Sequence, residues 1–506
     1  WSSSIVEANI LSIIDIADLT LLESVMDRYS LHYPSTIDVM EMVERSSTHY
    51  WRDVSAMSRI ESLVEGLLPL ERAAVLYVGD FYHLAKHNDL FMRDFLSTLS
   101  TPDRTPVDNP KQYITSLTDE MKAYVGLLCP KQMDGKSLAM FDTFPEENQK
   151  IIGAVAKHVN ACLIQYKDLI EVTLVSDVMP ASVAHLPTIV RRVALTSDTD
   201  STIYTVQDWM QWYGDEISFK EELVNLGHAI SFLASTSITH LLAKMSANMG
   251  VHKDQLHQYA MKSEYYFPVF ALTSRAKTYY AYIGAQEGET FKEYDVEKKG
   301  VVFKGSNAPK FIVDASNAMM LDILQTVRDD RKLELSRYLK EVADIERQVF
   351  ASLKKGDTMF FKRIEIKTAE GYKLEPHRSP YFHYMMWEEV FAPKYGSAPP
   401  PPYGAIKVSL NIKSKTDFNN WMAKIDDEAL KLRLVEFLAK HNKALPQSFN
   451  IPAGIVASHG IPDEIILGIS MRKIVSNLVE PLMVLLESVG FYMIDGNQLR
   501  LVSDYY

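Results

Sequence analysis

Two aspartates separated by one residue form the feature of this sequence with the clearest capacity for chemistry. They lie in Asp198-Thr199-Asp200-Ser201, between the β-prone stretches Ile189–Leu195 and Thr202–Val206. A tight hairpin at this point would hold two hard carboxylate ligands together at its tip. Mg²⁺ binds such oxygens, and pairs of Mg²⁺ ions stabilise the attacking and leaving oxygens of an in-line phosphoryl transfer. Taken alone, such a segment is more often a solvated turn, since Asp and Ser favour turns for local hydrogen bonding.

The context of this segment is more specific than the segment itself. Asp198-Thr199-Asp200-Ser201 resembles motif C of the family B DNA polymerases, in which DTDS caps a hairpin of the palm. Glu264 then precedes an aromatic strand, and Lys277-Thr278-Tyr279 falls where that family carries its K-x-Y element. A long helical pattern typical of a thumb follows. The resemblance covers residues 185–355 well and residues 356–506 loosely.

The resemblance implies a nucleotidyltransferase that performs template-directed DNA synthesis with two Mg²⁺ ions. Asp200 would be the main metal ligand from this motif, and Asp198 would lie beside it. Glu264 would be a nearby acidic residue of the palm. The implied partners are primer–template DNA and a deoxynucleoside triphosphate, and a sliding clamp is a further candidate.

The resemblance also assigns residues to DNA binding. Lys277 and Tyr279 would hold the primer–template near its 3′ end, and Lys299 and Lys310 would lie along the duplex backbone. Together with Lys304, these lysines predict a basic strip facing the thumb, since lysines bind phosphates. The alternative is a solvated strand edge, where lysines prevent aggregation.

The sequence departs from the family in ways that bear on activity. The Tyr-Gly that usually precedes the aspartates is Thr196-Ser197 here, and we find no NS-x-YG element of a fingers helix. Asp27–Ser35 resembles the motif A string D-x-x-S-L-Y-P-S, but the inserted His32 would move every later side chain to the other face of a strand. We interpret this segment instead as a helix end that runs into a Tyr-Pro turn.

The elements that must position these residues indicate an α+β protein with three parts. Residues 1–185 form a mostly helical insertion next to the fingers. Residues 186–314 form a palm with an antiparallel sheet, the DTDS hairpin and the K-x-Y element. Residues 315–506 form a mainly helical thumb. Motif A, the fingers and any 3′–5′ exonuclease are then expected on another polypeptide or on an N-terminal region.

Periodicity predicts individual elements along the chain. The segment Tyr213–Glu216 mimics a polymerase YGD motif without its second aspartate, and we interpret it as a helix start. The other predicted elements are two helices in 216–262, sheet in 265–283, a helical hairpin in 315–354, a strand at 406–412, helices at 417–441 and 469–489, and a hairpin at 491–506.

The composition limits the class and location of the protein. Among 506 residues, hydrophobic residues make up 47% and charged residues 23%, which are ordinary globular values. The net charge of −12 excludes a wholly basic surface but permits one basic groove. Two cysteines, Cys129 and Cys162, exclude a disulfide framework and indicate small buried hydrophobic residues in a reducing compartment. No run of 18 apolar residues predicts a membrane span.

These observations predict an intracellular protein. A split polymerase with a large insertion resembles the polymerases of jumbo bacteriophages, so we expect a phage source. The location would then be the host cytoplasm or a phage replication compartment. Two other functional classes stay open. One is a polymerase-like scaffold that binds DNA or replication partners without catalysis, which the missing motifs favour and the intact DTDS opposes. The other is an unrelated helical interaction protein with a chance DTDS.

Overall fold

The computed structural model divides the chain into two compact units. The first unit contains residues 1–268 and 282–296, and the second contains residues 269–281 and 297–506. The three-part division of the sequence stays a prediction. The described residues are 3–47, 54–178, 193–198, 200–215, 219–256, 258, 261–300, 309–354, 358, 361–442, 445–493 and 500–506.

Helices dominate the first unit. Several begin at residues suited to capping, since the side chains of Asp18, Asp80 and Thr118 each accept a backbone N–H bond from three residues further on. The helices are α1 (Ser3–Ile16), α2 (Leu19–Arg28), α3 (Thr36–Ser47), α4 (Val54–Gly66), α5 (Pro69–Tyr77), α6 (Phe81–His87), α7 (Asp89–Ser100), α8 (Pro110–Thr115), α9 (Asp119–Leu128), α10 (Pro130–Met133), α11 (Glu146–Gln165), α12 (Lys167–Thr173), α13 (Gln207–Gly214) and α14 (Glu221–Asn248).

The long helix α14 corrects the prediction of two helices in 216–262. Its only glycine, Gly227, lies within the helix, and a Cβ there would lie 3.3 Å from a methyl carbon of Val206. The glycine permits close packing. Within the described residues, α14 alone is long and apolar enough to cross a membrane, with a window of mean hydropathy 1.2 that is 39% buried. It packs against α7, α9 and α13, which is the position of a core helix.

The strands form three small antiparallel sheets among the described residues. In the first sheet β1 pairs with β2. In the second, β5 has β3, β4 and β6 as partners, which confirms the sheet predicted over 265–283. In the third, β8 lies between β7 and β9. The strands are β1 (Ala194–Ser197), β2 (Thr202–Tyr204), β3 (Tyr265–Tyr266), β4 (Val269–Leu272), β5 (Tyr279–Gln286), β6 (Glu289–Lys299), β7 (Lys362–Ile366), β8 (Tyr403–Ser409) and β9 (Ser448–Pro452).

The second unit contains the predicted helical hairpin, which is α15 (Lys310–Arg328) followed by α16 (Leu335–Lys354). The helical segment predicted over 417–441 is two helices, because Asp427 caps a second start by accepting a bond from the Leu430 N–H. The remaining helices are α17 (Tyr381–Met386), α18 (Ala392–Tyr395), α19 (Lys415–Met422), α20 (Glu428–Lys440), α21 (Ala453–His459), α22 (Asp463–Ile466) and α23 (Met471–Ser488).

The core of this unit lies where α23 packs against both α15 and α16. The C-terminal residues are fixed there by a buried carboxylate, since Glu346 of α16 accepts bonds from the Val502 and Ser503 N–H groups at 3.2 and 2.7 Å. The tail was predicted as a hairpin turning at Asp495-Gly496. That turn lies outside the described residues, but the predicted second strand is wrong, because Val502–Asp504 form a 3₁₀ helix. Helices and antiparallel sheets together confirm the α+β class.

Candidate active site and nucleic-acid surface

The two aspartates lie at the tip of the predicted hairpin. Strands β1 and β2 are antiparallel, and Ser197 pairs with Thr202 at the last register position before the turn. The Asp198 N–H donates to the Ser201 carbonyl at 2.8 Å and closes the turn. Asp198 and Asp200 are both exposed. The hairpin prediction is confirmed, and its tip offers carboxylate oxygens of the kind that Mg²⁺ binds.

The base of the hairpin is attached to α14. Burial raises the pKa of the Tyr204 hydroxyl, and a hydrogen bond with Ser231 of α14 opposes that rise. Val206, which follows β2, also packs against α14, since a Cβ placed at Gly227 would lie 3.3 Å from one of its methyl carbons. The register shifts between Ala194 and Thr196, a bulge that increases the twist of the hairpin. A helix therefore holds β2 in place while the acidic tip stays in solvent.

Glu264 belongs to the first unit, as the two aspartates do. Its carbonyl accepts the Glu287 N–H at 2.7 Å, and both residues line a cavity of about 1220 Å³. Lys262 lines the same cavity, as does His228, whose burial lowers its pKa to about 4. The described lining residues do not include Asp198 or Asp200. The structure therefore associates Glu264 with this cavity, and its predicted role beside the aspartates stays a prediction.

The K-x-Y element lies in the second unit, at the turn between β4 and β5. Lys277 is exposed and occupies the left-handed region with φ +57°. The Thr273 N–H donates to the Thr278 carbonyl across this turn. Tyr279 is only 6% exposed, and its ring packs on Phe270 with centroids 5.0 Å apart. The lysine is thus accessible from solvent, whereas a DNA contact by Tyr279 would require its ring to leave the core.

The other predicted DNA-binding residues also belong to the second unit. Lys299 is exposed at the end of β6, and Lys310 is exposed at the first position of α15. Gly300 follows Lys299 with φ +70°, and a Cβ there would lie 2.9 Å from the Lys277 carbonyl oxygen. The end of β6 therefore approaches the turn that carries Lys277. Lys304 lies outside the described residues.

A second basic cluster was not found from the sequence. Lys362 of β7 lies directly opposite Lys407 of β8. Partial burial lowers the pKa of Lys407, and the charges of Lys362 and Lys473 lower it further. Like charges placed directly opposite destabilise a sheet, so a bound anion would stabilise this arrangement. The three lysines occur in separate parts of the sequence, and only strand pairing and the packing of α23 place them together.

Two segments that mimic polymerase motifs are helix ends in the folded chain. Asp27 lies in the last turn of α2 and accepts a bond from the Tyr33 hydroxyl at 3.3 Å, which confirms a helix end rather than a strand. The helix start predicted at Tyr213–Glu216 is wrong, because α13 ends there with Asp215 at φ +56°. Arg93 stabilises that end by donating to the carbonyls of Trp212 and Tyr213 at 2.7 Å each.

The two cysteines are structural. Both are buried, and burial raises the pKa of the Cys129 thiol to about 12 and that of the Cys162 thiol to about 11. Thiols of this kind are unreactive near neutral pH, because the thiolate is the nucleophile. The prediction of small buried hydrophobic residues is confirmed.

An acidic hairpin and exposed lysines occur on many α+β proteins, so comparison with known families is needed to assign the class. The model of the Divergent Family B DNA polymerase family matches residues 2–506. The chain therefore belongs to the divergent family B DNA polymerases, and the resemblance seen in its motifs is confirmed over nearly its whole length. No curated protein matches the chain.

Proposed function

We propose that this chain performs template-directed DNA synthesis as the C-terminal part of a family B DNA polymerase. Motif A, the fingers and any exonuclease would come from another polypeptide or from an N-terminal region. The observation that carries this proposal is the exposed position of Asp198 and Asp200 on a closed hairpin turn, in a member of this family. Mg²⁺ usually takes one or two protein carboxylates, and this turn offers two to solvent.

The mechanism would depend on positioning and charge. Asp200 and Asp198 would supply carboxylate ligands from the hairpin tip, and the attachment of β2 to α14 would keep them in place. Mg²⁺ bound there would polarise the primer 3′-OH and the phosphate of the incoming nucleotide. Phosphoryl transfer requires little covalent chemistry from a protein, so fixed ligands of the correct charge account for catalysis.

The DNA would contact lysines of the second unit. Lys277 and Lys299 lie near one another at the β4–β5 turn and the end of β6. The cluster of Lys362, Lys407 and Lys473 provides a further anion-binding surface. Lysines bind phosphates as point charges without reading the bases, so both surfaces suit a duplex of any sequence.

Replacing a phosphate-binding lysine should weaken the salt dependence of DNA binding. For Lys277→Ala and Lys407→Ala we expect the slope of log affinity against log salt to fall by about 0.9 per lost contact. Primer–template affinity measured at several salt concentrations gives this slope. Lys373→Ala, at an exposed lysine outside both groups, should keep the wild-type slope. Unchanged slopes in both test variants would place the DNA elsewhere.

The direct test of the proposed function is incorporation of single nucleotides on a primer–template of known sequence. The chain assembled with a polypeptide that carries motif A should add the nucleotide complementary to each template base, and only with Mg²⁺ present. DNA binding without incorporation by that assembly would favour the second candidate, an inactive polymerase-like scaffold. The helical position of Asp27 is the observation that favours this candidate, because it removes the resemblance of Asp27–Ser35 to motif A.

A further inference from the structure

Two histidines and one aspartate of the first unit converge near the start of α3. His32 lies in the connection that follows α2, Asp38 in the first turn of α3, and His87 at the last position of α6. One ligand atom from each lies within 4.8 Å of the others. The His32 Nε2 is 3.6 Å from Asp38 Oδ2, and the His87 Nδ1 is 3.8 Å from Asp38 Oδ1.

The imidazole of His87 is buried without full hydrogen bonding. Its side chain is 10% exposed, and its Nε2 has no hydrogen-bond partner in the part of the chain that the structure describes. Its Nδ1 is too far from Asp38 for a hydrogen bond. Burial of an unpaired polar group is costly, so such groups in folded proteins call for a ligand, an ion or water. A metal ion bound to Nδ1 would supply a partner for that nitrogen, but it would not pair the buried Nε2.

Neighbouring groups hold the carboxylate of Asp38 and the backbone of His32 in place. Asp38 accepts bonds from the Ser35 N–H and hydroxyl at 2.8 Å each, both through Oδ2, which directs Oδ1 towards His87. The backbone of His32 is fixed at both polar atoms. Its N–H donates to Asn88 Oδ1 at 2.7 Å, and its carbonyl accepts the Tyr77 hydroxyl at 2.9 Å. Hydrogen bonds of this kind orient metal ligands in proteins.

We propose that His32, Asp38 and His87 bind a divalent transition-metal ion of the Zn²⁺ type. Two imidazoles and a carboxylate suit Zn²⁺, with bonds of about 2.0–2.2 Å and a fourth position open to water. Tetrahedral coordination at those lengths places ligand atoms about 3.3 Å apart. The three ligand atoms lie within 4.8 Å of one another, and the 3.6 and 3.8 Å separations involve different oxygens of Asp38, so the side chains would have to move to bring one oxygen and both nitrogens onto one ion. Mg²⁺ prefers oxygen ligands, so this site differs in chemistry from the aspartate hairpin.

The ion would stabilise the folded chain, whether or not its open position also has a chemical role. The three ligands come from a loop and two helices that are separate in the sequence, so one ion would join the connection after α2, the start of α3 and the end of α6. A metal that binds only the folded chain stabilises it, because the unfolded chain has no preformed site. This proposal does not depend on the proposed catalytic function.

The full chain, freed of metal by a chelator, should bind one equivalent of Zn²⁺ and show a higher melting temperature with it. Co²⁺ as a spectroscopic probe should give the visible absorption of a tetrahedral site. His32→Ala should lower the Zn²⁺ affinity by about 100-fold or more, since loss of a ligand exceeds the loss of a group that orients one. The His32 side chain is 53% exposed, so this variant should fold.

One ligand exchange and two control variants test whether Zn²⁺ binds at this site rather than at another one. His32→Cys should retain Zn²⁺ binding and add a thiolate-to-cobalt charge-transfer band to the Co²⁺ spectrum. His252→Ala, at an exposed histidine 3.1 Å from Asp254, and Asp200→Asn should both keep the wild-type stoichiometry and affinity. The absence of stoichiometric Zn²⁺ binding by the wild type, or equal affinity in wild type and His32→Ala, would overturn the proposal.

Discussion

The change Asp200→Asn should lower the rate of nucleotide incorporation on the order of 1,000-fold, while primer–template affinity stays within a few-fold of wild type. A carboxylate that holds a metal ion acts on the charge developing in the transition state, whereas duplex affinity comes from contacts to phosphates. The measurement is single-turnover extension by the assembled enzyme, with duplex affinity determined on the same preparation.

The structure indicates that Asp200→Asn should remove the carboxylate without disturbing the fold of the hairpin. Asp200 is exposed, and the turn is closed by a backbone bond from Asp198 to Ser201, so the amide should leave the hairpin intact. The matched control is Asp208→Asn, at an exposed aspartate in the first turn of α13 in the same unit. It should keep full activity. Activity of Asp200→Asn within a few-fold of wild type would remove the metal-ligand assignment.

The second large effect concerns whether this chain can extend a primer without the rest of the polymerase. We expect the chain by itself to give no primer extension above background, and to become active on addition of a polypeptide with motif A and the fingers. The proposal assigns to this chain one acidic motif and no nucleotide-binding fingers helix, so an isolated chain would lack half of the metal ligands. An obligate interface with the missing part should bury roughly 2,000 Å² or more.

Co-purification followed by the single-nucleotide assay tests this expectation. The reconstituted Asp200→Asn assembly is the control, because it should form the same complex and remain inactive. Robust templated synthesis by the chain alone would contradict the split arrangement. A second metal-binding carboxylate would then have to be found within this chain.

Local sequence signals were sufficient for several elements of this protein. The hairpin at Asp198–Ser201 was predictable because β-branched residues flank a cluster of turn residues. The pair α15 and α16 was predictable because apolar residues recur at helical spacing over both. The order of these motifs also sufficed to recognise the family, which the match over residues 2–506 confirms.

Other features were decided only by the tertiary structure. The motif predicts that Tyr279 binds DNA, whereas the structure buries its ring against Phe270. The end of α13 near Asp215 is stabilised by Arg93, which lies about 120 residues earlier in the chain and donates to the last carbonyls of that helix. Gly214 is a local signal of a helix end, but the bonds from Arg93 cannot be read from the neighbouring residues.

The lysine cluster and the histidine–aspartate cluster were also decided only by the tertiary structure. Lys362 and Lys407 face each other through the register of β7 and β8, and His32, Asp38 and His87 meet where α3 and α6 both pack against α5. Turns and helices are determined by interactions over three or four residues, so spacing in the sequence reveals them. Contacts between separate elements depend on register and packing across the whole unit, and these were decided only by the folded chain.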